Sequence, residues 1–154
     1  MKYPEKYVVS SGIGKSFYKL VSFDNALIDA GIANYNLLKV SGILPIGCVR
    51  VEKVDEKVGS GLMTAYSTIS SNIKGQRISS AVAVGVPEND SDVGVIMEFS
   101  EYCSSKEAEE TVVKMVIEAM KNHNITCKEV VSSATEAVVV DEEYVTVISA
   151  LAMW

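Results

Sequence analysis

Hydrophobic and polar positions follow one another in a pattern that predicts a chain rich in β-strands. Apolar and β-branched residues recur in short runs, separated by glycine, proline, asparagine and aspartate, the usual turn residues. These runs predict strands over residues 7–10, 17–23, 34–44, 49–52, 62–70, 78–86, 93–99, 126–140 and 144–154. The run 34–44 lacks a side chain at Gly42 and is stopped by Pro45, which cannot donate a hydrogen bond to a neighbouring strand. We therefore expect a kink and a close approach of the backbone near Gly42.

A different spacing predicts two helices. From Ser104 onward the apolar residues recur at helical spacing, and Glu107 follows Ser104 as in a capping box. This long helix is predicted to end near His123. A shorter helix is predicted to start at Asp24, which would serve as its N-cap, and to end at Gly31.

Two glycines and a lysine lie between the first two predicted strands. Gly12, Gly14 and Lys15 invite comparison with a phosphate-binding loop. The sequence Gly-x-Gly-Lys lacks the spacing of the nucleotide-binding motifs, so a hairpin or an ordinary loop is the better interpretation.

The order of these elements predicts an α+β fold built in layers. The short helix follows the second strand, and the long helix precedes the last two strands. A chain of 154 residues fits one domain with a single core, and no internal repeat or interdomain linker interrupts it. We expect one domain over residues 1–154.

Composition and charge exclude several classes of partner. The net charge is −6 and the basic residues are scattered singly, which argues against nucleic acid or an anionic membrane as the main partner. No apolar run approaches the ~20 residues that span a bilayer, and no apolar segment follows the polar residues 1–6 as in a secretory signal. We therefore expect a cytoplasmic protein. Its negative charge would favour a cationic small molecule as ligand.

The cysteines and the histidine do not indicate a metal site. Cys48, Cys103 and Cys127 are widely spaced, with no Cys-x-x-Cys pair. His123 is the only histidine, and its place at a helix end suits a surface cation. We expect no metal and no mechanism that needs a catalytic histidine.

Five segments, in this order and spacing, resemble the pyruvoyl-dependent arginine decarboxylases. The segments are Phe23–Ile32, Asn34–Pro45, Thr64–Tyr66 with Ile78–Ala81, Ile96–Phe99 and Cys103–Glu109. The resemblance covers about residues 24–110 well and both ends loosely. It implies an αββα sandwich that assembles as a homotrimer or a dimer of trimers, with active sites between neighbouring subunits.

The resemblance also implies a reaction and a set of site residues. The reaction is the decarboxylation of L-arginine to agmatine and carbon dioxide, a step of polyamine biosynthesis. The electron sink is a pyruvoyl group that the chain makes from its own serine by autocatalytic cleavage. Asp24 is implied to hold the substrate's guanidinium, and Asn36 to assist the cut and the site geometry. Glu98 is implied to reprotonate the product.

Each of these residues also has a structural interpretation. Asp24 would be a helix N-cap, and both of its roles can hold together. Asn36 would form a hydrogen bond at the start of a strand. Glu98 would be a surface glutamate on an alternating strand, but its apolar neighbours indicate partial burial and a raised pKa instead. The choice among arginine, ornithine and lysine as substrate stays open.

The sequence departs from the family at the position of the cofactor. The family's serine pair falls on Ser41 and Gly42, and the self-processing serine is the second of the two. Glycine has neither the nucleophile nor the β-carbon from which the ketone is built. Ser41 could react instead, with a cut after Val40, but a shift of one residue moves the group ~3.3 Å and turns it to the opposite face.

Other interpretations of Gly42 remain. The chain could be a variant whose processing is blocked, or an uncleaved homologue that lost catalysis and retains a trimeric pocket for arginine or agmatine. It could also be an α+β domain whose resemblance misleads about the substrate.

Overall fold

A computed structural model describes residues 2–154 of the chain. Over these residues it forms two helices, α1 (Lys19–Ala30) and α2 (Ser105–Asn122), together with nine strands. The strands are β1 (Lys6–Ser16), β2 (Asn36–Lys39), β3 (Ile43–Leu44), β4 (Val49–Arg50), β5 (Gly61–Ser71), β6 (Arg77–Pro87), β7 (Gly94–Glu101), β8 (Cys127–Val138) and β9 (Tyr144–Met153). None of the helices in this part of the chain is long and apolar enough to cross a membrane.

The strands form two sheets that pack face to face between the two helices. Sheet 1 has the strand order β2-β5-β9-β1-β4, and sheet 2 has the order β3-β7-β6-β8. Helix α1 packs on β1 and β9 of sheet 1, and α2 packs on β6, β7 and β8 of sheet 2. The layers therefore run helix, sheet, sheet, helix, and the predicted α+β class is confirmed.

Buried apolar side chains fill each of the spaces between layers. Between α1 and sheet 1 lie Leu27, Ile32 and Ile148, and between α2 and sheet 2 lie Val112 and Val116. The space between the sheets is filled by Leu44, Ala65, Val82, Val84, Ile96 and Leu151. The central strand β6 of sheet 2 is buried on both faces because one face meets sheet 1 and the other meets α2.

The predicted strand over residues 17–23 and the predicted loop after residue 10 are both wrong. Residues 6–16 form the single strand β1, and α1 already begins at Lys19 after the N-cap residue Tyr18. Asp24 therefore lies within the helix, and its predicted role as N-cap is also wrong. The apolar residues of this run do not indicate burial, since Leu20 is 79% exposed.

Small residues on α1 and on β1 explain why a helix packs on this strand. Ser22, Ala26 and Ala30 share one face of α1 at four-residue spacing, and all three are buried. They pack on Gly12 and Gly14 of β1, where an added Cβ would collide with the helix backbone. The two glycines thus serve the close packing of a helix on a strand, not a phosphate loop.

The long helix begins as its sequence predicts. The Ser104 hydroxyl accepts a hydrogen bond from the Glu107 backbone N–H at 3.1 Å and donates one to the Glu107 carboxylate at 3.2 Å. The helix is capped at its C-terminal end by His123. For α1, the predicted end at Gly31 is confirmed, with this glycine in the left-handed conformation at φ = 79°.

The substitution Gly14→Ala tests the packing of α1 on β1. Its Cβ would meet the Ser22 carbonyl oxygen and the Ala26 nitrogen, which belong to backbone and cannot move aside. We expect a loss of at least about 2 kcal/mol in the free energy of unfolding, measured by urea denaturation. The control is Gly61→Ala, whose Cβ has one tight contact, with the flexible Leu38 side chain at 3.0 Å, and meets backbone only at an ordinary distance of 3.9 Å. Equal effects of the two substitutions would contradict this account of α1.

Candidate active site

The chain crosses from sheet 1 to sheet 2 over residues 40–42, which we call the junction. On one side the Val40 N–H donates a hydrogen bond to the Thr64 carbonyl of β5 at 3.1 Å. On the other side the Gly42 carbonyl accepts one from the Ile96 N–H of β7 at 2.8 Å. The single predicted run 34–44 is therefore two strands, β2 parallel to β5 and β3 antiparallel to β7, in different sheets.

Gly42 has a backbone conformation that side chains rarely adopt. Its φ is 127°, and the residue is buried. A Cβ at this position would lie 2.5 Å from the carbonyl oxygen of Ile96. The expected kink and close backbone approach near Gly42 are thus confirmed. Any other residue here would be strained both by its own φ and by β7.

Ser41 and Asn36 lie near this point with different surroundings. Ser41 is exposed, in contrast to its buried neighbour Gly42. Asn36 begins β2, and its side-chain amide donates a hydrogen bond to the Gly59 carbonyl at 2.9 Å. This bond fixes the start of β2 and with it the approach of the chain to the junction.

Glu98 projects from the same strand that holds the junction. It follows Ile96 by two residues on β7 and so faces the same side of sheet 2, toward sheet 1. The side chain is half-buried, and this burial raises the pKa of the Glu98 carboxyl above its ordinary range. The positive charge of Lys39 partly offsets the rise in pKa. The predicted burial of Glu98 is confirmed.

Lys39 and Tyr66 were not identified as site residues from the sequence. The Lys39 ammonium lies 4.6 Å from the centroid of the Tyr66 ring, within the range of a cation–π contact. The Tyr66 ring also meets Phe23 of α1, with ring centroids 6.4 Å apart. These contacts link helix α1 to the end of β2, directly before the junction.

Asp24 lies on the outer layer of the molecule and is exposed. Next to it a groove of about 420 Å³ is lined by Lys19, Leu20, Phe23, Thr68 and Ser70. Asp24 follows Phe23 directly and Leu20 by one helical turn, so on α1 it adjoins two of the residues that line this groove. Glu98 faces the space between the sheets instead. Within one chain the structure thus places Asp24 and Glu98 in different layers.

The arrangement of these groups defines what the site can do. A half-buried carboxyl with a raised pKa keeps its proton to a higher pH than an exposed carboxyl does, and it can give that proton up to a bound molecule. An exposed carboxylate beside an apolar groove can bind a cationic group whose chain lies in the groove. The charge of Lys39 acts on Glu98, and its ammonium contacts the Tyr66 ring, which in turn contacts Phe23 of the groove.

The substitution Glu98→Gln should change stability in a pH-dependent way. Because the pKa of Glu98 is raised in the folded chain, ionisation of this carboxyl destabilises the fold at pH values above its folded pKa. The glutamine variant should then be more stable than the wild type at pH 8. The difference should vanish below the ordinary glutamate pKa of about 4.3.

Thermal unfolding at a series of pH values measures this difference. Glu118→Gln, at a glutamate on helix α2, is the control and should show no comparable trend. A Glu98→Gln variant that is less stable at pH 8 than at pH 4, relative to the wild type, would contradict the raised pKa.

Comparison with known proteins identifies the family. The sequence model of the family described as pyruvoyl-dependent arginine decarboxylase matches residues 6–154. A pyruvoyl-dependent arginine decarboxylase of Methanococcus aeolicus is 36% identical over 153 residues, which are 99% of this chain and 92% of that protein. The protein of the same name from Thermococcus kodakarensis is 37% identical over 140 residues, covering 90% of this chain and 88% of the relative. This chain belongs to the pyruvoyl-dependent arginine decarboxylase family.

Proposed function

We propose that the chain takes part, in the cytoplasm, in the pyruvoyl-dependent decarboxylation of L-arginine to agmatine and carbon dioxide. The observation that carries this proposal is the position of Glu98, a half-buried carboxyl on the strand that binds the junction. The names of the relatives support arginine as the substrate. The match over residues 6–154 supports the whole chain as one domain of this family.

Asp24 and the groove beside it provide the substrate site in this proposal. A carboxylate accepts two parallel hydrogen bonds from a guanidinium, which gives direction as well as charge. Leu20 and Phe23 line the groove and would pack on the methylene carbons of arginine. A site of this kind favours a long cationic side chain.

Glu98 provides the proton in this proposal. Loss of carbon dioxide leaves electron density on the α-carbon of the substrate, and this carbon must be protonated to give agmatine. A carboxyl whose pKa is raised by burial holds the required proton at neutral pH more readily than an exposed one. Lys39 limits the rise in pKa and so leaves the acid able to transfer its proton.

The assembly that we propose is a homotrimer, or a dimer of trimers, with sites between subunits. It would bring Asp24 of one subunit toward Glu98 of the next, which lie in different layers of a single chain. Phe17, Tyr18, Leu20 and Val21 support an interface, because they are exposed large apolar residues around the start of α1. Asn36 would keep β2 and the junction in position for a neighbouring substrate.

The cofactor does not fit the residue at its family position. A pyruvoyl group is built from the Cβ, the Cα and the carbonyl carbon of its parent residue, and Gly42 has no Cβ. Within the proposed reaction the chain therefore has one of two roles.

In the first role the chain decarboxylates arginine itself, and its cofactor comes from Ser41 after a cut behind Val40. In the second role it is an uncleaved homologue that binds arginine or agmatine without reaction. The buried Gly42, with its φ of 127°, favours the second role. Release of carbon dioxide from arginine by the purified chain separates the two roles, because binding is common to both.

Titration calorimetry with arginine and agmatine tests the proposed site. We expect binding of both ligands, and no binding of citrulline, in which a neutral ureido group replaces the guanidinium. The variant Asp24→Asn should weaken arginine binding about 10-fold to 100-fold, since it removes a charge-assisted hydrogen-bond acceptor. Asp90→Asn, at an exposed aspartate in the turn before β7, is the control and should bind as the wild type does. Absence of arginine binding at millimolar concentration would reject the proposed function.

A further inference from the structure

The backbone conformation of Gly42 bears on the self-cleavage reaction of the family. The cut in this family begins when a serine hydroxyl attacks the carbonyl carbon of the preceding residue. The attack closes a small ring that contains that carbonyl carbon and the N, Cα, Cβ and Oγ atoms of the serine. The ring can close only if Cβ and the preceding carbonyl carbon lie on the same side of the N–Cα bond.

The backbone at position 42 satisfies this condition. About the N–Cα bond, the Cβ of an L-residue is offset by about 120° from the carbonyl carbon of the same residue. With φ at 127°, a Cβ at position 42 would therefore nearly eclipse the carbonyl carbon of Ser41. In the ordinary extended and helical conformations the two atoms are turned far apart, and the ring does not close.

The surroundings of Gly42 hold this conformation in place. The Gly42 carbonyl is bound by the Ile96 N–H at 2.8 Å, and Val40 is bound to Thr64 of the other sheet at 3.1 Å. The chain is thus fixed on both sides of the Ser41–Gly42 bond. A Cβ at position 42 would also be pressed against the Ile96 carbonyl oxygen at 2.5 Å. Both strains would be relieved by a break in the chain before residue 42.

We propose that the junction of this chain retains the backbone geometry for self-cleavage between residues 41 and 42 and lacks only the serine side chain. The wild-type chain then remains uncut, and the single substitution Gly42→Ser restores the cut. This inference rests on the proposed function only in taking position 42 as the family's cofactor position. Its test measures chain cleavage and the proposed function is tested by arginine binding, so each can fail without the other.

The bonds made and broken in the Gly42→Ser variant balance without an external oxidant or reductant. The hydroxyl oxygen bonds to the Ser41 carbonyl carbon, the peptide C–N bond breaks, and the nitrogen takes the hydroxyl proton, which gives an ester. Loss of the Cα proton and cleavage of the Cβ–O bond release Ser41 as a carboxylate and leave a Cα=Cβ double bond. Water then replaces the nitrogen, which departs as ammonia, and a ketone remains at residue 42.

Intact mass spectrometry of the purified Gly42→Ser variant under denaturing conditions tests the proposal. We expect most of the chain as two fragments, residues 1–41 and 42–154, with a mass increase of the second after hydroxylamine treatment. The same cut should occur in the double variant Ser41→Ala, Gly42→Ser, because the nucleophile is at position 42. A folded Gly42→Ser variant that remains uncut would overturn the proposal, as would cleavage of the wild type.

The variant Gly42→Ala keeps the proposal testable if the serine variant does not fold. Alanine adds the Cβ without a hydroxyl, so this chain should remain uncut but should be strained. Its thermal midpoint should fall further than that of Gly75→Ala. Gly75 also has a positive φ, of 89°, but a Cβ there meets nothing within 4 Å. A Gly42→Ala midpoint equal to or above that of Gly75→Ala would overturn the strained geometry on which the proposal depends.

Discussion

The crossing of the chain between its two sheets at residues 40–42 is the constraint on which the candidate site depends. A strand of sheet 1 ends at Lys39 and a strand of sheet 2 begins at Ile43, so very little chain is left to span the gap. Hydrogen bonds to Thr64 and Ile96 fix the two ends of the crossing on β5 and β7. The backbone of residues 40–42 therefore has few conformations open to it, and Gly42 adopts a φ of 127°, which a residue with a side chain rarely does. The same strand β7 carries Glu98, and the same strand β2 carries Lys39, so the acid and its neighbouring cation are positioned by the crossing itself.

A second contact positions the other half of the site. Helix α1 approaches sheet 1 closely because Gly12 and Gly14 have no side chains. This approach buries Ser22 and Ala26 and turns the opposite face of the helix, with Leu20 and Asp24, to solvent. The exposed carboxylate and the apolar groove beside it follow from a packing contact on the far side of the helix. In the proposed assembly, a neighbouring subunit completes the site on this outer face.

Much of this arrangement could be predicted from the sequence, and the failures have physical causes. The capping box at Ser104 is a local signal, and it located the long helix. The burial of Glu98 could be inferred because Ile96 two residues earlier indicates which face of the strand is buried. The start of α1 was missed because Phe17 and Leu20 look like buried strand residues, although they are exposed. No local sequence pattern indicates that Gly12 and Gly14 of β1 leave room for the backbone of a helix to pack against them.

The parts of the site that could not be predicted from the sequence are contacts between residues that lie far apart in the chain. Tyr66 bridges Lys39 and Phe23, and nothing in the sequence pairs these three positions. The kink at Gly42 could be predicted from the glycine and the following Pro45. Its direction could not, because the collision with the Ile96 carbonyl oxygen depends on the pairing of β3 with β7. Likewise, separation of Asp24 and Glu98 into different layers follows from the fold and not from their spacing.

The intact mass of the purified wild-type chain under denaturing conditions tests most directly whether the chain stays uncut at the junction. A single species at the full 16.6 kDa, unchanged by hydroxylamine, is the predicted result, because Gly42 offers no nucleophile at the bond that the backbone presents. Two fragments that divide after Val40, the larger beginning with a reactive ketone, would show that Ser41 has formed the cofactor. That result would contradict the prediction that the junction remains uncut, and it would identify the chain as a working decarboxylase.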